Sequence, residues 1–510
     1  MKLNTLLAGI PIAERRGQID EDVEIRRISH DSREIETGDI FVAIEGVLAD
    51  GHDYVAQAKE KGAYLAVVEK FVEADIPQVR VENTRKALAD LACIYFDHPS
   101  RQMEIFGVTA TNGKTSTAFM VRDIFKAAGY RVGMVGTVAV QYGDVSIPAI
   151  LTTPESIHLQ EHLRNMADAG IEVVVMEVSS SAQELYRSRG IEFDIVSFNN
   201  ISVEHLEQHG TFENYFHYKS RLIRHADEDT AVLLNVDAPL IAALAEDTKG
   251  QVFTAAIDEE AMARIEGIDI STGFAKFTYR VARESTKGRW TLPSVEIPVH
   301  LQVAGYHSVL NAMMAMTFGL LGGVDPQTVR RAMEEFSGVE RRFELIYRGD
   351  YMILDDHFAN TKNIEVTLET LHAMEYKNLH ILYAIRGSRG AELNRENAVE
   401  TAKWMARLPL KTFYATKSVE AVSSKDVVTD AELEAFQNVM QDAGYEIPVI
   451  ERLDDSIRRI LPAVESGDVL LLAGCQGMDH AAKVIWQDLA DRSRGEEKTY
   501  WLQKIDNRIC

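Results

Sequence analysis

The sequence predicts an α/β protein of three domains, on three observations: its length, the alternation of buried apolar runs with amphipathic segments, and a phosphate-type loop between a strand and a helix. At 510 residues the chain exceeds what one hydrophobic core usually organises, so about two to four domains are expected. An apolar share of 46% with 26% charged residues is ordinary for a globular chain and excludes wholesale disorder. The net charge of −24 opposes non-specific attraction to nucleic acid or an anionic membrane. No stretch approaches the roughly 18 apolar residues of a membrane span. Cys93, Cys475 and Cys510 are scattered, which leaves neither a disulfide framework nor a cysteine zinc site. The expectation is a cytoplasmic monomer with no nucleic-acid or membrane partner.

Up to residue 99 the apolar runs Ile40 to Ile44, Tyr64 to Val68 and Gln78 to Val81 alternate with a candidate helix, Tyr54 to Lys61. This predicts a small N-terminal α/β domain, 1–99. From Glu104 the alternation sharpens. Ile105 to Val108 reads as a strand, then Met120, Val121, Ile124 and Phe125 share a helical face, then Val132 to Val138 reads as a strand. Glu172 to Val178, Asp194 to Asn199 and Thr230 to Asn235 are further buried-strand candidates. Repeated strand, helix, strand order implies a largely parallel sheet covered on both faces, here a central domain over 100–337. The third domain, 338–510, carries strand candidates Tyr351 to Leu354, Leu379 to Ala384, Thr412 to Ala415 and Asp468 to Ala473. Helical patterns Glu396 to Arg407 and Ala431 to Ala443 separate them.

The most informative string is Val108-Thr109-Ala110-Thr111-Asn112-Gly113-Lys114-Thr115. Between a strand and a helix, its N–H groups can cradle phosphate, Lys114 can neutralise β and γ charge, and the Thr115 hydroxyl can bind Mg²⁺. The generic pattern wants glycine at 108, where valine stands, and Gly107 lies one place early. Glu177 ends the apolar run Val173 to Met176, which puts a hard oxygen donor at the carboxyl edge of a buried strand, where α/β sheets gather ligands. His205 and His209 are four apart, but Leu206 stands where a metalloprotease helix needs Glu, which argues against zinc hydrolysis.

Residues Thr109 to Ser116 resemble the nucleotide loop of the Mur ligase family, ATP-dependent enzymes that add amino acids to peptidoglycan precursors. The resemblance continues through Thr152-Thr153-Pro154-Glu155, Met176-Glu177-Val178-Ser179-Ser180, Asn199-Asn200, His205, His209-Gly210 and Lys219. It spans essentially the whole chain and is nearest to the MurE type, which adds the third residue to a UDP-N-acetylmuramoyl dipeptide. It implies a P-loop ATPase domain flanked by a UDP- and acceptor-binding domain and a Rossmann-like domain for the incoming amine. It further implies ATP held by Thr111, Asn112, Gly113, Lys114, Thr115 and Ser116, and two Mg²⁺ ions on Thr115, Glu177, His205 and a carbamylated Lys219. A carbamate turns the amine into an anionic oxygen ligand.

The resemblance assigns Thr152, Thr153, Ser180 and Arg187 to the acceptor peptide and its carboxylate. Asp31-Ser32-Arg33 and Asp50-Gly51-His52 resemble the part that holds the uridine diphosphate end, although without the resemblance a turn between strands is the better account of Asp-Ser-Arg. Asn235, Arg342 and Asp356 fall on nucleotide-side positions. At the selector for meso-diaminopimelate this chain reads Ala415-Thr416-Lys417-Ser418-Val419, and at a later signature Gly474-Cys475-Gln476-Gly477-Met478-Asp479. Both changes remove groups that would hold a diamino acid's distal charges, so diaminopimelate is disfavoured. Arg389, in Gly387-Ser388-Arg389-Gly390, is a candidate anion contact. The expected activity is ATP-dependent ligation of a carboxylate to an amine through an acyl phosphate. Two alternatives stay open: a ligase repurposed for another carboxylate, and a nucleotide-binding regulator without turnover.

Overall fold

The structure, a computed structural model, describes residues 1–46, 49–204, 206–271, 273–506 and 508. His205, expected as a metal ligand, and Cys510 therefore lie outside the described residues. The chain divides into two compact units, 1–264 with 280–296 and 311–329, and 265–279 with 297–310 and 330–510. Among the described residues no helix is long and apolar enough to cross a membrane.

The first unit opens with β1 (Glu14–Arg16), β2 (Ile28–Ser29), β3 (Ile40–Val42), β4 (Leu65–Val68) and β5 (Gln78–Arg80), ordered β1-β5-β4-β3-β2. Only β1 is antiparallel to its neighbour. Parallel neighbours need a crossover, and the helix Val55–Glu60 supplies the one from β3 to β4. Asn83 starts the helix Thr84–Tyr95 by accepting from Lys86 N at 2.9 Å. Leu88 and Leu91 of that helix share a core with Val42, Val67 and Val79.

The larger sheet of this unit contains β6 (Glu104–Thr109), β7 (Val132–Val135), β8 (Ala139–Tyr142), β9 (Val145–Pro148), β10 (Val173–Glu177), β11 (Ile195–Phe198), β12 (Ala231–Asn235) and β13 (Gln251–Ala256). They stand in the order β13-β12-β11-β6-β10-β7-β8-β9. From β13 to β7 every pairing is parallel, and β8 and β9 close the edge as an antiparallel hairpin. The chain leaves β6 towards β7 and later returns to β11 on its other side. The carboxyl end of β6 is therefore a topological switch point, where such sheets open a crevice. Met120, Val121, Ile124 and Phe125 are all buried on the helix Lys114–Ala127. The strand expected over Val132 to Val138 stops at Val135, because Gly136 and Thr137 turn the chain into β8. Gly107 sits inside β6, where a Cβ would lie 2.9 Å from the Phe193 ring. It is a packing glycine, which explains its offset from the generic phosphate-loop pattern. The chain then forms β14 (Ala263–Asp269), β15 (Phe274–Val281), the hairpin β16 (Ser285–Lys287) and β17 (Trp290–Leu292), and β18 (Val295–Ala304).

The sheet of the second unit has β19 (Glu344–Arg348), β20 (Met352–Asp356), β21 (Leu379–Ala384), β22 (Leu410–Thr416), β23 (Val449–Ile450) and β24 (Val469–Ala473), ordered β19-β20-β24-β21-β22-β23. All pairings but β19 with β20 are parallel. Alternate residues feed two cores, as the two-residue side-chain period requires. Leu354, Ile381 and Leu471 pack with Leu368 and Phe436, and Ile353, Leu382 and Leu470 pack with Ile457 and Trp486. Helices Ala391–Met405 and Asp430–Asp442 fall where helical patterns were expected.

At one edge of this sheet Arg341 Nε reaches both oxygens of the buried Asp355 at 3.0 and 3.1 Å. Arg508 joins the same carboxylate at 3.1 Å and Glu344 at 3.0 Å. Burial pushes the Asp355 carboxyl up to about 6, and the two guanidiniums oppose that push. Removing one partner of a buried pair leaves an uncompensated charge, which costs about 3–5 kcal/mol. Arg341→Met should therefore lower unfolding free energy by about that amount in urea titrations.

Candidate active site

The phosphate loop runs from the end of β6 to the head of Lys114–Ala127, and Gly113 makes the turn at φ +82°. A Cβ at Gly113 would stand 2.3 Å from Asn311 Oδ1, so both the backbone and the space demand glycine. Asn200 braces the loop: Thr111 N donates to its carbonyl at 3.0 Å, Asn112 N to Oδ1 at 2.9 Å, and Nδ2 returns a bond to Asn112 O at 2.8 Å. Lys114 Nζ donates to the carbonyls of Ala110 and Thr111 at 2.8 and 3.0 Å. Lys219 Nζ donates to the same Ala110 carbonyl at 2.6 Å. Ser116, one residue beyond Thr115, is half-buried.

Beside the loop, β10 ends in the fully buried carboxylate of Glu177. Oε2 accepts from Thr115 Oγ1 at 2.9 Å and Thr137 Oγ1 at 3.0 Å, and Oε1 accepts from Thr137 N at 2.8 Å. A Cβ at Gly136 would meet Oε1 at 2.3 Å, so the turn must carry glycine. The hydroxyl of Thr115 and the carboxylate of Glu177 are adjacent hard oxygen donors, a pair that fits Mg²⁺. Among the described residues no group of three or more His, Cys, Asp or Glu could hold a metal ion. Lys219 is buried, its amine pushed well below the usual range by burial and then by Lys114, with Glu204 opposing. An amine held this way gives up its proton more readily than a solvated lysine, which suits reaction with carbon dioxide. Its Nζ lies 4.9 Å from the Tyr215 ring centre, and the Tyr215 hydroxyl lies 3.1 Å from Thr111 Oγ1.

Asn235 ends β12 with Nδ2 donating to Asn199 O at 2.8 Å and Oδ1 accepting from Asp237 N at 3.1 Å. Asn199 in turn donates to Thr117 Oγ1 at 3.0 Å on the phosphate-loop helix. Thr152 Oγ1 lies 3.1 Å from Thr137 Oγ1, and Thr153 donates to Glu177 O at 2.9 Å and accepts from Ser179 N at 3.3 Å. Arg187 pairs with Glu155 at 2.7 Å, and its buried Nε has no hydrogen-bond partner among the described residues. Ser180 Oγ stands 3.0 Å from His209 Nε2. Ser32 and Arg33 follow β2 on the small sheet. Ser32 donates to Gln57 Oε1 at 2.8 Å, and Arg33 is exposed and holds the Asp31 carboxyl down at about 2.

In the second unit Arg342 is half-buried beside Arg341. Asp356 accepts from Phe343 N at 2.7 Å and Thr367 Oγ1 at 2.5 Å, and burial raises its carboxyl. The Arg389 side chain reaches Asp426 at 3.2 Å. The N–H groups of Ser388, Arg389 and Gly390 all end on the Glu432 carboxylate at 2.8–3.0 Å. Burial would raise that carboxyl, but the N–H groups of Thr429, Gly390, Arg389 and Ser388 hold it down at about 2. Sequence reasoning missed Thr137 and Tyr215 and gave Asn200 no role. A Gly-Thr pair at the carboxyl end of a strand was the available signal for Thr137.

A strand, a glycine-turned loop, a helix opening on Lys-Thr, and a carboxylate on the adjacent strand define a phosphate-loop nucleotide enzyme of the α/β class. Three families match in chain order: the Mur ligase catalytic domain over residues 24–96, the Mur ligase middle domain over 108–319 and the Mur ligase glutamate ligase domain over 341–476. The UDP-N-acetylmuramoyl-L-alanyl-D-glutamate–2,6-diaminopimelate ligase of Bacillus licheniformis is 33% identical over 484 residues, 93% of each chain. That of Listeria monocytogenes is 28% identical over 481 residues, 93% of each chain. A solved ligase of the same description superposes with a TM-score of 0.68 at 18% identity, covering 97% of this chain and 100% of that one. Thermotoga maritima MurF with ADP gives 0.59 at 20% identity, covering 92% and 99%. The chain belongs to the Mur ligase family and has its three-domain α/β fold, and it is an ATP-dependent amide-forming ligase.

Two expectations follow. Gly113→Ala forces a side chain into a left-handed conformation against Asn311, so ATP affinity measured by calorimetry should fall by about tenfold or more. The Glu432 carboxyl is depressed on folding, so its stabilisation is complete above the unfolded value of 4.5 and is lost as the pH falls towards 2. The melting temperature should drop across that window, and Glu432→Gln should flatten the drop.

Proposed function

We propose that this ligase joins the carboxylate of a UDP-N-acetylmuramoyl-peptide acceptor to the amine of an amino acid, forming an acyl phosphate and releasing ADP and phosphate. The observation that carries the reading is the Thr115–Glu177 pair at the mouth of the phosphate loop, with Lys114 and the buried Lys219 both at Ala110. The substrates of the diaminopimelate ligases it resembles support the acceptor. The chain's own Ala415 to Val419 and Gly474 to Asp479 segments favour an amine other than diaminopimelate.

Two magnesium ions held by Thr115, Glu177, His205 and a carbamylated Lys219 would neutralise phosphoryl charge. Thr111, Asn112, Gly113 and Ser116 present the loop to the nucleotide, and Lys114 supplies the cation for the transferred group. Asn235, Arg342 and Asp356 act on the nucleotide side. Thr152, Thr153, Ser180 and Arg187 orient the acceptor, Ser32 and Arg33 take its uridine diphosphate end, and Arg389 meets the donor. The three segments 1–99, 100–337 and 338–510 divide these tasks between acceptor, ATP and amine, in a cytoplasmic monomer. Rate enhancement then comes mainly from positioning and charge neutralisation.

Incubation with ATP, Mg²⁺, UDP-muramoyl peptides and a panel of amines should release ADP only when acceptor and amine are both present. ADP release independent of the acceptor across the panel would overturn the reading. Turnover with carboxylates that carry no UDP would instead establish the repurposed ligase.

A further inference from the structure

Arg187, expected to meet the acceptor's carboxylate, is buried and already engaged within the protein. Its Nη2 pairs with Glu155 at 2.7 Å, and its Nη1 donates to Thr153 O at 3.5 Å. The residue before it, Tyr186, takes φ +56°, a left-handed conformation that costs a bulky side chain energy. The segment 186–190 lies along the helix Thr84–Tyr95. Lys86 Nζ stands 5.1 Å from the Tyr186 ring centre, Arg189 Nε pairs with Asp90 at 2.8 Å, and Cys93 Sγ donates to Arg189 O at 3.6 Å.

Arg85 is the second residue of that helix. It is half-buried, its Nη2 donates to Glu45 O at 3.3 Å and, among the described residues, it forms no ion pair. Two features make such an arginine costly. The first turn of the helix carries no acidic residue, so the cation stands at the positive end of the helix dipole uncompensated. Burial pushes its guanidinium below the usual range and Arg187 adds to the push, against the pull of Glu155, Glu69 and Glu184. Those carboxylates are committed elsewhere: Glu155 to Arg187, Glu69 to Thr84 N and Oγ1 at 2.8 and 2.9 Å, and Glu184 to Gln208 at 3.0 Å. Arg85 is left as a planar fork of donors with one long bond, a group that matches a carboxylate in two-point contact.

We propose that Arg85 binds the carboxylate of the acceptor that does not react, and that Glu155 keeps Arg187 out of that role. The inference rests on the proposed UDP-linked peptide acceptor and deepens it. An acidic dipeptide that is extended through one carboxylate carries a second one into the product, and that charge needs a cation which the chain leaves open. Arg187 and Glu155 cancel each other, so Arg85 is the charge that one external carboxylate completes.

The full-length enzyme is assayed with a UDP-N-acetylmuramoyl dipeptide that ends in a dicarboxylic residue, and with an analogue whose non-reacting carboxylate is a carboxamide. Wild type should show a KM about ten- to hundredfold higher for the carboxamide, the range for hydrogen bonds to a charged group. Arg85→Gln should raise the KM for the carboxylate acceptor by about the same factor, leave the KM for ATP unchanged, and show little further loss with the carboxamide. Arg85→Lys, which keeps the charge without the fork, should recover part of the loss. Calorimetry with UDP alone should give the same affinity for wild type and Arg85→Gln. A penalty in Arg85→Gln that is equal for both acceptors, or equal rises in the KM for acceptor and ATP, overturns the inference while leaving the acceptor assignment intact. Weaker UDP binding by Arg85→Gln also overturns it, by moving Arg85 to the diphosphate. A wild type inactive on every UDP-linked peptide overturns both the inference and the reading it rests on.

Discussion

A carboxylate buried at the end of β10 is the constraint around which the first unit's site is arranged. An ionised group taken out of water costs several kcal/mol unless its lone pairs are met, and Glu177 meets them with Thr115 Oγ1, Thr137 Oγ1 and Thr137 N. Those donors come from the head of the phosphate-loop helix and from the turn into the edge hairpin. The backbone carbonyl of Glu177 adds a third segment by accepting from Thr153. Satisfying one charge therefore places three stretches of chain that are far apart in sequence. Gly136 and Gly113 are the points where the backbone must come close enough for this to work.

What could be read from the sequence divides along the range of the contacts. Strands covered on both faces appear as continuous apolar runs, so Leu379 to Ala384 is found with its ends intact. The exposed Glu14–Arg16 has no apolar residue and is a strand only because it pairs with β5. In the site, Lys114, Thr115 and Glu177 were visible because their chemistry sits at the ends of local elements. Tyr215 meets Thr111 across 104 residues and Asn200 meets Asn112 across 88, separations at which no short motif carries information.

The second unit shows how buried polar groups are met by partners that the sequence does not name. A polar residue on a sheet's carboxyl edge looks the same in sequence whether it faces a ligand or a partner within the chain. Both oxygens of Asp356 accept from Phe343 N and Thr367 Oγ1, and Arg341, adjacent to the expected Arg342, carries the buried pairing with Asp355. Burial demands such pairing, and a sequence records the demand without recording which neighbour meets it.

The loop at residues 387–390 shows what an internal partner can do for a surface segment. Loops that take shape only around a ligand lose binding free energy to the ordering they undergo. With Glu432 already gathering three consecutive amides and Thr429, this loop is ordered by its own chain. Whatever it meets encounters a finished surface, and the entropy of shaping it has been charged to folding instead of to recognition.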